Sequence, residues 1–175
     1  DDIIADSRWD MTYLGMQIMV EGLALAAFGF MHQSTQEPLL KQLLRYVMAD
    51  EARHVAFGVL SLTELYANLS AAEIRERQEF AFEATVALRN RWFHTDVWEL
   101  LGVDPRPIVR LELEDPGPEE QTFRTTLFSK IVPNCKKLGL LDAGDGWLRH
   151  RYEELGIIQF EDWPDDGLGT DPPLD

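Results

Sequence analysis

A chain of 175 residues with 45% hydrophobic content has room for one substantial core, and 31 Asp+Glu against 16 Lys+Arg leave a formal net charge of −15. That balance excludes a nucleic-acid-binding or anionic-membrane surface, since both need clustered Lys and Arg to displace counterions. A single cysteine, Cys135, excludes an internal disulfide framework and a Cys-rich zinc site and suits a reducing, cytoplasmic setting.

β-branched alternation is almost absent, so an all-α fold is expected. Residues 8–33, RWDMTYLGMQIMVEGLALAAFGFMHQ, are apolar on most faces and read as a deeply buried bundle helix. A membrane span of that segment would place Glu21 near its middle, at a cost of about 3 kcal/mol. The turn that follows offers Thr35 as N-cap or a capping box of Ser34 and Glu37, ahead of a second long helix over 37–68. Ser70 and Glu73 mark the start of a third, expected to run to Leu101 and to stop at Gly102. Asp104, Pro105, Pro107, Pro116 and Pro118 then break the pattern into short pieces. A fourth helix is expected over 118–138, with Pro118 at its first position and Gly139 after it. A shorter helix spans 146–155. The acidic, Pro- and Gly-rich remainder is expected as an extended tail held by Phe160 and Trp163.

A carboxylate in so apolar a helix needs a proton, a cation or a metal, which makes Glu21 the residue to explain. On the second helix Glu51 and His54 are three residues apart and share a face. Glu-x-x-His is the unit used by carboxylate-bridged di-iron and di-manganese bundles, where hard oxygens bridge two ions and imidazole binds terminally. With 16 Glu and 4 His in the chain, chance alone supplies about 0.4 such pairs. The spacing from the turn adds to the motif: if the two helices fold back about Ser34 to Glu37, Glu21 and Glu51 lie level, each about 20–25 Å from the bend. Gln17 lies one turn before Glu21 on the same face. Ala24 and Phe28 are expected to line a cavity. Asp50 points away from Glu51, toward a histidine N–H on a neighbouring helix.

VEGLALAAFGF together with MADEARHVAFG resembles the second half of a ferritin-like di-iron four-helix bundle. The likeness is to the ribonucleotide-reductase small-subunit type, especially the p-aminobenzoate N-oxygenase-like group. It covers about residues 8–66. The resemblance implies that Glu21 holds the third-helix ligand position and Glu51 and His54 the fourth. It implies that Asp50 braces an opposing histidine. It further implies dinuclear iron, with manganese as an option, and oxidation of a small organic substrate by O2. In the N-oxygenase-like group a further histidine stands where this chain has Val47.

Such a site needs four carboxylates and two histidines, and this chain has one Glu-x-x-His. The first residue is Asp1, so the expectation is a piece of a longer parent in which the missing ligand helices lie upstream. The alternative is a homodimer in which each copy gives Glu21, Glu51 and His54, as in a ferroxidase or iron-storage protein. A third reading is a metal-free helical interaction module in which Glu21 pairs with Arg53 or another cation. The expected organisation is a ferritin-like half-bundle over 1–69, accessory helices packed on it over 70–156, and the tail over 157–175.

Overall fold

The computed structural model describes residues 7–91 and 93–164. Among them lie seven helices and no strand. They are α1 (Trp9–Ser34), α2 (Pro38–Tyr66), α3 (Ala71–Arg91), α4 (Thr95–Leu100), α5 (Arg106–Glu114), α6 (Pro118–Lys137) and α7 (Trp147–Glu154), followed by a 3-10 turn at Ile158–Phe160.

The apolar first helix is the centre of the molecule. α2 packs back along it, α6 lies along its second half, and α3 crosses near its start. Its mean hydropathy of 1.6 would by composition suit a membrane span; in this fold 44% of that stretch is buried, with α2, α3 and α6 packed against it. One cluster of buried side chains runs from Leu14 and Ile18 through Leu62 to Leu127, Ile131 and Leu148. It joins the part of the chain before residue 69 to the part after it. A smaller cluster of Leu25, Met48 and Val55, with Phe28 packed against it, closes the other end of the α1–α2 pair.

The turn between α1 and α2 is capped differently from either expectation. Glu37 is the N-cap of α2, its carboxylate accepting from the backbone N–H groups of Leu39 and Leu40, with Pro38 in the first turn. Thr35 Oγ1 accepts from the Glu37 N–H instead, and Ser34 Oγ donates back to the Phe30 carbonyl. At α3 the reciprocal bonds between Ser70 and Glu73 form as their spacing predicts. That helix stops ten residues short of the expected end, because His94 takes a left-handed backbone (φ 48°) and restarts the chain as α4. Gly102 follows α4 at φ 75°, the conformation for which glycine was expected.

Two polar ties hold α3 in place. Arg77, only 4% exposed, pairs with the equally buried Asp10 of α1 at 2.9 Å and also donates to Glu76 and to the Glu73 carbonyl. Gln78 donates to the carbonyls of Leu140 and Ala143, fixing the loop before α7. The start of the expected tail is built into the core: Ile157 and Phe160 are buried, Phe160 packs on Phe128, and Glu161 bonds both Arg149 and Lys136. Residues 165–175 of that tail lie outside the described residues.

Candidate metal centre

The first helix is not α-helical throughout. Leu14–Val20 is a π-helix, and Glu21 is the first residue of the α-helical stretch that follows. A π turn takes one residue more than an α turn, so side chains on either side are rotated by about 100° from where an unbroken helix would put them. Gln17 and Glu21 nonetheless both face α2: Glu21 meets His54, and Gln17 lies over Gly58, where an added Cβ would stand 2.5 Å from the Gln17 Cβ. Glycine at 58 is what lets the two backbones approach there. Gln17 Oε1 is buried and has no hydrogen-bond partner, an acceptor one turn along α2 from His54.

Beyond the π segment, Gly22 lets α6 approach through Ile131, while Glu21 faces α2. There it meets both residues of the Glu-x-x-His unit. One ligand atom from each of Glu21, Glu51 and His54 lies within 4.8 Å of the other two. His54 Nδ1 stands 3.0 Å from Glu51 Oε2 and 3.8 Å from Glu21 Oε1. The side chains of Glu21 and Glu51 are 18% and 19% exposed, whereas His54 is 58% exposed. Partial burial, the hydrogen bond that the protonated Glu21 carboxyl donates to Glu51, and the negative charge of Glu51 together raise the Glu21 pKa to about 7, against the opposing pull of His54. Two carboxylates pressed together with an imidazole make an electron-rich corner that a proton or a cation relieves.

The other expected residues are placed as follows. Asp50 lies on the outer side of α2 in an ion pair with Arg53 of the same helix, so it meets no histidine among the described residues. That pairing also takes away the cation offered to Glu21 in the metal-free reading. Ala24 is half-buried beside the cluster, and Phe28 fills the small core against Leu25, Met48 and Val55. A groove nearby along α2 is lined by other residues, none of them Glu21, Glu51 or His54. It has a volume of about 330 Å³ and lies between α2 and α6, with Leu25, Ala52, Val55 and Val59 as its apolar wall and Asn134 and Lys137 opposite. Neither Ala24 nor Phe28 reaches it. Ala52 follows Glu51 directly, so helical alternation alone shows which neighbours line a groove beside the motif; the presence of α6 across it has no local signal.

No family model, curated protein or solved structure matches this chain.

Proposed function

We propose that Glu21, Glu51 and His54 form one half of a dinuclear iron site, and that the protein is an O2-dependent oxidase or oxygenase of the ferritin-like type acting on a small organic substrate. The observation that carries this reading is the convergence of these three side chains from two helices, level across the α1–α2 pair. The donor set suits the metal. Two carboxylates and one imidazole are the hard, partly anionic ligands that iron or manganese takes, with no thiolate present to favour zinc or copper.

Bound Fe(II) would supply the electrons that reduce O2. The chain's own residues do the rest. Glu21 must release its proton when a cation binds, because the cluster keeps that proton near neutrality. Leu25, Met48 and Val55 exclude water from one side of the site, and the groove bounded by Leu25, Ala52 and Val55, which begins one residue along α2 from Glu51, is where an apolar substrate would sit.

Anaerobic titration of the full chain with Fe(II), followed by exposure to O2, tests the reading. Saturable binding and O2 uptake are expected, both weakened more than about 100-fold in Glu51→Ala. Unchanged iron content in that variant overturns the proposal. A ferroxidase is the second reading, favoured by the exposure of His54, which gives Fe(II) a direct path from solvent. It predicts multiple turnovers of Fe(II) with no organic substrate present.

A further inference from the structure

α2 carries a second pattern on its outer side that the metal cluster does not use, and that touches the rest of the fold where Phe57 meets the Tyr13 ring and Leu60 edges the groove toward α6. Leu43, Tyr46, Asp50, Arg53, Phe57 and Leu60 follow one another at spacings of 3, 4, 3, 4 and 3. That alternation makes one continuous seam along a helix, the form in which helices present themselves to a partner helix. All six residues are exposed. The four apolar ones are 56%, 49%, 58% and 76% exposed for Leu43, Tyr46, Phe57 and Leu60 respectively, an outward face that a helix meeting only water does not need.

The seam is palindromic. Its midpoint falls between Glu51 and Ala52, and Asp50 and Arg53, Tyr46 and Phe57, and Leu43 and Leu60 are each equidistant from it. A two-fold axis at that midpoint, with the helices antiparallel, sets leucine on leucine, aromatic on aromatic and carboxylate on guanidinium. Closed symmetric dimers demand such self-complementarity of a single patch. An unrelated partner would impose no mirror order on it.

We infer that this seam is a homodimer interface, in which a second copy of the chain packs its own α2 antiparallel against it and Asp50 meets the guanidinium of Arg53 across the axis. The inference stands apart from the metal reading, since the seam uses none of Glu21, Glu51 and His54.

Sedimentation equilibrium of the full chain, metal-free and with Fe(II), supplies the test, with helical circular dichroism checking that each variant folds. A reversible dimer is expected. Asp50→Arg or Arg53→Asp alone places like charges across the axis and weakens it at least about tenfold, and the double exchange restores it. Oxidation of a Leu43→Cys, Leu60→Cys double variant gives a covalent dimer. Leu43→Cys alone gives none, since its two copies stand about 25 Å apart on antiparallel helices. A chain that stays monomeric, or a dimer indifferent to both single charge reversals, overturns the inference. Dimerisation without Fe(II) binding leaves the interface standing and overturns the metal reading; Fe(II) binding by a persistent monomer does the reverse.

Discussion

In metal-free protein Glu21 is more easily protonated than an ordinary glutamate, because it is half-shut from water and faces Glu51. A carboxyl whose pKa rises on folding contributes fully below its unfolded value, near 4.5, and loses that contribution as the pH climbs through about 7. Glutamine imitates the protonated form. We therefore expect wild type and Glu21→Gln to melt together near pH 5, with the variant the more stable by pH 8; parallel melting curves across that range would contradict the placement of Glu21. Added Fe(II) should raise the melting temperature of wild type only. At Gly58, alanine would gain about 1 kcal/mol of helix propensity but collide with Gln17, an overpacking cost of about 1–3 kcal/mol. Calorimetry should find Gly58→Ala less stable than wild type. Glu21, Glu51 and His54 were legible in the sequence because a buried charge and a three-residue spacing are local facts. The π turn around Gln17 was not, since it changes hydrogen bonding without changing which residues are apolar.

Helix starts were easier to read than helix ends or breaks. Ser70 and Glu73 satisfy each other within four residues, so their pattern determines the outcome. Glu37 took the cap expected of Thr35 or Ser34 because Pro38 admits the first turn only there, leaving Leu39 and Leu40 N–H groups within reach of its carboxylate. The break of α3 before His94 carried no glycine or proline to announce it. Among ties between elements, Asp10–Arg77 is the one whose loss should tell most, because removal of Asp10 leaves a guanidinium in a nearly closed site. Glu76 still pairs with that guanidinium, so Asp10→Ala is expected to cost about 3 kcal/mol, at the low end for a broken buried pair. Urea denaturation measures it, and a loss below about 1 kcal/mol would assign the anchoring of α3 to packing alone.

At the scale of the whole molecule, length and composition pointed to a single all-α core, and the described residues have one that crosses from the α1–α2 pair into α6 and α7. That α6 would lie along α1 could not be read from periodicity, which orders residues within a helix and not helices among themselves; the hold of Phe160 on the acidic end was expected, and Phe160 is buried in this core. Phe160→Ala should therefore cost about 3 kcal/mol, where a truly extended tail would lose nothing measurable. The centre of this core holds the chain's single thiol: Cys135 is wholly buried beside the Tyr152 hydroxyl, and desolvation pushes its pKa up to about 11. Shut away and protonated, it is inert to thiol reagents until α6, α3 and α7 part. The rate at which it becomes labelled is thus a built-in clock for opening of the fold, and a cysteine placed anywhere on the surface can carry a probe with no competing site.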